Sequence, residues 1–315
     1  HMNISILGGG SWGTALAVHL ANNGHSIKIW EFFAEQARKM QEERQCPLLP
    51  NLTLPEKIFI SSDMGETLTN SELVLVVVPS DKVETTIESA RPFLGSQPII
   101  LCSKGFASNC RLLSDVAKEK ANSNIYCLYG PTHAEEVCKG LLSGIVLAGG
   151  EGKEKLKAVI ESDSLRVDLS DDLVGVQVCS ALKNVLAVFV GVLDGRNLGD
   201  NSKAFIMTKG LAEIKQIGLN WGAQENTFDG LAGMGDVIVT CTSKHSRNRY
   251  VGQEVGKGRK LDDVITEMKM VAEGITAVKN AYLLEEKFGL NLPLVTGIYK
   301  ILFEGRDVEE VLKRL

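Results

Sequence analysis

The feature that most constrains this chain is a short apolar run that ends in glycines: NISIL, residues 3–7, passes directly into GGGSWGTALAVHLANNG. The run has the length and β-branching of a buried strand, and the segment after it repeats apolar residues at helical spacing. Between them stand Gly8, Gly10 and Gly13, in the order G-x-G-x-x-G. Glycines are common in turns, but these lie where a first strand gives way to an amphipathic helix. In that context Gly8 permits the tight turn, Gly10 lets the backbone approach a pyrophosphate, and Gly13 lets the helix pack closely on the strand. The phosphates then face the open N–H groups of a helix N-terminus. A second strand, SIKIWE (26–31), ends in Glu31, roughly 20 residues beyond the first glycine, where a carboxylate can accept a hydrogen bond from a ribose 2′-OH. A 2′-phosphate there meets a negative charge, and neighbouring Phe32 and Phe33 supply no cation. The reading is a dinucleotide site that prefers NAD to NADP.

The rest of the first half continues this alternation. KIFIS (57–61), LVLVVV (73–78), PIILCS (98–103), NIYCLY (124–129), SGIVLAGG (143–150) and LRVDLS (165–170) read as strands. Most are continuous apolar runs, as expected where helices cover both faces of a parallel sheet. Helices are expected at 11–23 and at about 34–45. From residue 172 strand signals nearly vanish and long helical patterns take over. The expected fold is α/β: a Rossmann-type doubly wound sheet over 1–171, followed by an all-α domain over 172–315, in keeping with a length suited to two domains.

Composition narrows the function classes. The 315 residues are 44% hydrophobic and 23% charged, with net charge −5 and a pI near 5.7. No broad basic field awaits a nucleic acid or an anionic membrane, so any bound anion must be met by local donors. No uninterrupted apolar run reaches about 18 residues, so no spanning helix or membrane anchor is expected. The chain enters NISIL without a basic n-region or cleavage site, which argues against a secretory signal. Seven cysteines, at 46, 102, 110, 127, 138, 179 and 241, show no CxxC spacing. They read as reduced thiols of a cytoplasmic protein, and neither they nor the five histidines suggest a metal site.

A second set of polar residues gathers at loops and in the helical half. Lys104 follows strand PIILCS, and GPTHAEE follows NIYCLY, placing Gly130, Thr132 and Ala134 at a strand-to-helix junction. Ligands of open α/β sheets bind in crevices at such strand ends. In the helical half, Asp236 follows Gly233-Met234-Gly235 and precedes Thr240 by four residues, which is helical side-chain spacing. Ser246-Arg247-Asn248-Arg249 offers guanidinium forks and neutral donors suited to a phosphate. Lys183 and Asn184 interrupt the apolar stretch VQVCSALKNVLAVFVGVL. A lysine there must either snorkel to water or be held for chemistry.

Taken in order along the chain, GGGSWGTALA, CSKGF, GPTHAEEV, SALKNVLAV, DGLAGMGDVIVTCT and SRNRYVG resemble the NAD(P)-dependent glycerol-3-phosphate dehydrogenase family in its bacterial form. The resemblance spans nearly the whole chain. It implies reversible reduction of dihydroxyacetone phosphate to sn-glycerol 3-phosphate with NAD(P)H, a supply of glycerol phosphate for lipid synthesis, and a homodimer. It assigns Lys183 as general acid/base. Ser11, Trp12 and Ala134 then contact the cofactor. Lys104, Gly130, Thr132, Asp236, Ser246, Arg247 and Asn248 meet the substrate, with Asn184 and Thr240 beside them. Lys104 and Arg247 also reach the cofactor, and Val271 and Glu273 of MVAEG stand at its nicotinamide end. Two positions depart from the family pattern: His133 replaces an expected aromatic, and Glu31-Phe32-Phe33 lacks the arginine of phosphate-accepting members.

The chemistry suits the lysine. Hydride delivery to a ketone carbon builds negative charge on its oxygen, which needs a proton or a positive neighbour. Desolvation lowers a lysine pKa towards the range useful for proton transfer, whereas a counter-charge from Asp236 raises it; the sequence leaves that balance open. Asn184 can orient a carbonyl or a water but cannot trade protons. Two rivals are a β-hydroxyacid dehydrogenase, which needs a carboxylate site instead of a phosphate site, and a redox-sensing protein that holds NAD(H) without turnover.

Overall fold

The computed structural model describes residues 1–269 and 272–315. The chain forms two compact units, His1–Leu173 and Val174–Leu315.

The first unit is built on eight strands: β1 (Asn3–Leu7), β2 (Ser26–Trp30), β3 (Ile58–Ser61), β4 (Leu73–Val76), β5 (Ile99–Leu101), β6 (Ile125–Tyr129), β7 (Ser143–Ala148) and β8 (Leu165–Ser170). Their order in the sheet is β3-β2-β1-β4-β5-β6-β7-β8. The sequence reverses direction between β1 and β4, and the crevice at the carboxyl ends of those strands is where such sheets take ligands. Register is direct: Leu7 sits between Trp30 on β2 and Val76 on β4. Ile4, Ile6, Ile27, Ile29, Leu73, Leu75 and Ile100 are essentially inaccessible. On the opposite face Leu7, Val74, Val76, Ile99 and Leu101 are equally inaccessible, and burial on both faces explains why these strands read as continuous apolar runs.

The sheet departs from the expected all-parallel arrangement at one place. β7 pairs antiparallel to β6, and β8 returns parallel to β7. Antiparallel neighbours need no full crossover, and the β6–β7 connection holds only one short helix, Ala134–Cys138. Strand ends are also shorter than their apolar runs suggested. β2 stops at Trp30, so Glu31 lies just beyond it, although its N–H still donates to Ser61 O at 2.9 Å.

The second unit contains helices and no strand among the described residues. Its central element is the helical run Leu173–Gly195, whose residues 185–193 are all buried. With a mean hydropathy of 1.9 the run is long and apolar enough to cross a membrane, which corrects the expectation that no segment qualifies. However, 83% of its apolar window is buried in the protein, the environment of a core helix apolar all round.

Two buried glutamates organise the end of this unit. Glu213, on helix Asp200–Asn220, accepts from the N–H groups of Leu294 and Val295 at 2.9 and 3.0 Å. Glu285 accepts from Leu292 N at 2.6 Å. Together they occupy the N-terminus of helix Pro293–Glu304, whose first amides have no partner within the helix. Burial pushes the Glu213 carboxyl above its usual 4.5, against the hydrogen bonds from Val295 and Leu294. Glu213→Ala leaves two buried N–H groups unsatisfied and should cost about 2–4 kcal/mol of unfolding free energy. A carboxyl with a raised folded pKa adds stability below its unfolded pKa and loses it as pH rises through the folded one. Thermal unfolding across that window should therefore show the parent losing ground relative to Glu213→Gln as pH rises. A constant difference would contradict this.

Candidate active site

The glycine loop is set by close contacts. Gly8 has φ +130°, and a Cβ on it would lie 2.8 Å from Val77 C. A Cβ on Gly13 would lie 2.0 Å from Gly8 O, so the helix Ser11–Asn22 rests directly on the loop that precedes it. Gly10 differs: a Cβ there meets no protein atom within 4 Å. Packing does not demand this glycine, and its open side leaves room for a ligand's backbone approach. Ser11, Trp12 and Gly13 form the first turn, whose N–H groups lack intrahelical partners. Glu31 leans over the loop, with Oε2 only 2.3 Å from where a Cβ on Gly9 would stand. Amides of Phe33 and Gly9 donate to the carboxylate, but burial outweighs them and raises its pKa. A cradle of open amides with a carboxylate at its edge fits a dinucleotide's pyrophosphate and ribose.

Beside it, the loops after β4, β5 and β6 converge. Lys104 Nζ donates to Gly130 O at 3.3 Å, and Thr132 Oγ1 donates to the same oxygen at 3.3 Å. Gly130 is confined, since a Cβ would lie 2.9 Å from Gly144 O and Ile145 Cα. His133 occupies the N-cap position of the short helix that Ala134 begins, with no cap hydrogen bond from its side chain. Gly105 has φ +146° and faces Ser80, a Cβ lying 2.4 Å from its Oγ. Sequence reading thus found Lys104, Gly130 and Thr132 as one cluster. It missed Gly9, Gly105 and the Val77–Ser80 segment, whose fit to Gly8 and Gly105 is visible only in space.

In the second unit, Lys183 answers its own question. It is 5% exposed, and its Nζ lies 2.6 Å from Asp236 Oδ1, itself inaccessible. It does not snorkel. Nor does it sit within an unbroken helix: regular α-helix ends at Leu182 and resumes at Asn184, and Leu186 N reaches back three residues to Lys183 O at 3.0 Å. Lys183 is therefore at a joint, with half-buried Asn184 opening the next helix.

Asp236 is delivered by a second irregularity. Leu231–Gly235 forms a π-helical turn, closed by Gly235 N donating to Gly230 O at 3.1 Å, and helix Asp236–Thr242 continues from it. Such turns often mark functional sites. The glycines of DGLAGMGD serve this turn: a Cβ on Gly233 would lie 2.3 Å from Phe228 O. Thr240 Oγ1 points at the same Asp236 oxygen as Lys183 does, at 3.5 Å. Nearby, burial pushes the Cys241 thiol up to about 12, which disfavours its thiolate.

The SRNR segment is resolved into separate parts. Ser246 caps helix Arg247–Gly256 by accepting from Arg249 N at 3.2 Å. Asn248 Oδ1 accepts from Gly274 N at 2.8 Å, tying this turn to the start of helix Glu273–Lys287. Exposed Arg247 and exposed Glu273 are the first residues of their helices. Arg249, counted with the phosphate donors in the sequence, instead pairs with Asp194. Val271 lies outside the described residues.

Residues 3–155 match the family model for the NAD-dependent glycerol-3-phosphate dehydrogenase N-terminus, and residues 172–313 match that for its C-terminus. The chain belongs to this family. The glycerol-3-phosphate dehydrogenase (NAD(P)+) of Chlorobium luteolum is 39% identical over 321 residues, covering 99% of this chain and 96% of that protein. That of Geobacillus thermodenitrificans is 40% identical over 322 residues, covering 99% and 94%. Among solved structures, glycerol-3-phosphate dehydrogenase from Coxiella burnetii superposes with a TM-score of 0.92 at 31% identity, covering 99% of this chain and 98% of that one.

Lys183 and Asp236 form an almost wholly buried ion pair, so removing Asp236 deletes the counter-charge 2.6 Å from a buried ammonium. Asp236→Ala should lower unfolding free energy by about 3–5 kcal/mol. Replacing both charges, as in Lys183→Met with Asp236→Val, should cost less than Asp236→Ala alone. Chemical denaturation of the parent, Lys183→Met, Asp236→Val and the double variant checks this, with Asp236→Ala measured alongside. Simple additivity of the two losses would show that the charges do not depend on each other.

Proposed function

We propose that this chain interconverts dihydroxyacetone phosphate and sn-glycerol 3-phosphate, with Lys183 as the proton-transfer group. The observation that carries the reading is the buried Lys183 Nζ–Asp236 Oδ1 pair, an ammonium held at a helical joint within the segment that matches the family's C-terminal model. When bound, the nicotinamide supplies the hydride in one direction and accepts it in the other. Ser11, Trp12 and Gly13 hold the cofactor's pyrophosphate, and Glu31 its adenosine ribose. Ala134, Lys104, Arg247, Val271 and Glu273 complete its binding.

In the reducing direction, Lys183 Nζ gives a proton to the carbonyl oxygen as that atom gains charge, and takes it back in the reverse reaction. Asp236 holds the ammonium in place, and Thr240 steadies the carboxylate. Asn184 orients the reacting oxygen. Lys104, Gly130, Thr132, Ser246, Arg247 and Asn248 bind the remainder of the substrate, with Arg247 supplying the bidentate fork a phosphate takes best. The phosphate-type donor set favours this reading over a hydroxyacid dehydrogenase. A supply of glycerol phosphate for lipid synthesis, a homodimer and a cytoplasmic setting belong to the same proposal, the last supported by seven cysteines that are all free thiols.

Lys183→Gln should reduce kcat by about 10²–10⁴-fold in an NADH-oxidation assay with dihydroxyacetone phosphate, with the KM for NADH little changed. A variant that folds and retains half the parent's turnover would remove Lys183 from the chemistry.

Cofactor choice gives a second expectation. The parent should use NADH more efficiently than NADPH, and Glu31→Ser with Phe32→Arg should shift the ratio towards NADPH. Because burial raises the Glu31 pKa, its charge is lost earlier on acidification than that of an ordinary glutamate. Discrimination against NADPH should therefore weaken as pH falls while still above the usual carboxylate range. Ratios of kcat/KM for the two cofactors across pH decide it; a parent that prefers NADPH would show that Glu31 does not meet the ribose.

A further inference from the structure

Helix Asn184–Gly195, which begins at the Lys183 joint, is packed against helix Arg247–Gly256 with no side chains between the backbones. A Cβ on Gly191 would lie 2.2 Å from Arg249 O, and one on Gly252 would lie 2.0 Å from Val188 O. Gly195 and Gly256 are equally confined, at 2.2 Å from Gln253 O and 2.4 Å from Val192 O. One turn beyond Gly191, Asp194 presents a largely buried carboxylate to this contact. Its Oδ2 pairs with the Arg249 guanidinium and its Oδ1 with Lys203 Nζ at 2.5 Å. Arg249 also donates to Ser243 O at 3.2 Å, while its own N–H is held by Ser246. Burial raises the Asp194 pKa, but the hydrogen bonds from Arg249 and Lys203 outweigh it and hold the carboxyl below its usual 3.8.

We propose that Asp194 is a positioning residue for phosphate recognition: with Lys203 it clamps Arg249, and so fixes the Ser246–Asn248 turn in the shape that receives a phosphate. Arg249 is then part of the support and does not itself touch the substrate. This rests on the reading that Arg247 and Asn248 meet the substrate phosphate. The same turn is fixed from three sides, by the Ser246 cap, by Asn248 on Gly274 N, and by the Asp194 clamp. Of the three, only the clamp depends on a charge outside the turn. Loosening it should be felt where the phosphate binds and not at the proton-transfer group.

The test compares dihydroxyacetone phosphate with dihydroxyacetone, which lacks the phosphate, in NADH-oxidation kinetics of the full chain. Asp194→Asn should raise the KM for dihydroxyacetone phosphate by about tenfold, the scale of one weakened charged hydrogen bond. It should leave kcat, the KM for NADH and the efficiency with dihydroxyacetone nearly unchanged. Arg249→Lys should recover most of the loss seen in Arg249→Met. If Asp194→Asn folds poorly, Asp194→Asn with Arg249→Met removes both charges together and should show the same selective loss. Arg247→Ala sets the scale by removing the phosphate advantage directly. Should Arg247→Ala preserve that advantage, the phosphate reading falls, and the inference with it. Should Arg247→Ala abolish it while Asp194→Asn harms both substrates equally or neither, only the role given to Asp194 is overturned.

Discussion

The second unit holds an ion pair almost wholly withdrawn from water. Lys183 and Asp236 are both withdrawn from solvent, and taking two charges out of water costs several kcal/mol for each. Their attraction at 2.6 Å offsets that cost, but a pair of apolar residues of similar volume would serve stability as well or better. Stability therefore does not explain why the apolar helical run Leu173–Gly195 carries an ammonium. The proton transfer proposed for Lys183 does, because a group that must meet a developing oxyanion has to be fixed in place and shielded before the substrate arrives. The two backbone irregularities have the same explanation. A helical joint turns Lys183 inwards, and a π turn brings Asp236 to it.

Around that pair the molecule relies on absent side chains. In the first unit Gly13 lets a helix rest on Gly8 O, and in the second Gly191 and Gly252 let two helices touch backbone to backbone. Contacts this close transmit position well, since no flexible side chain intervenes to absorb a shift. The Ser246–Asn248 turn, proposed to receive the phosphate, is thereby referenced to the helix that starts beside Lys183. Stiffness in such a turn spares binding the cost of ordering it when a phosphate arrives.

Much of this was legible in one dimension. The strand-glycine-helix order, the helical spacing of Asp236 and Thr240, and the lone lysine in an apolar run are local patterns, and local patterns survive in sequence. What escaped were relations between distant segments. Arg249 looks like its neighbour Arg247, and only the fold shows that Asp194, 55 residues away, has taken it. Asn248 appeared as a neutral donor, yet its oxygen is committed to Gly274 N. The antiparallel β7 was hidden because its buried apolar run resembles that of its parallel neighbours. Strand direction is set by the connection, not by residue type.

Glu31 and Asp236 show how one functional group takes two roles from its surroundings. Asp236 is enclosed with an ammonium, so its charge is balanced on the spot and it can hold that cation in place. Glu31 is half-buried against amide dipoles alone, and burial there disfavours its charged form. A carboxylate in that situation gains most from a neutral donor able to complete its hydrogen bonding, which is what a ribose diol offers, and loses most from a second anion. Its position in turn depends on Gly9, since any Cβ there would overlap Oε2. The selectivity proposed for the dinucleotide end therefore rests on two residues acting together: an acid that disfavours a phosphate, and a glycine that lets the acid lie across the loop.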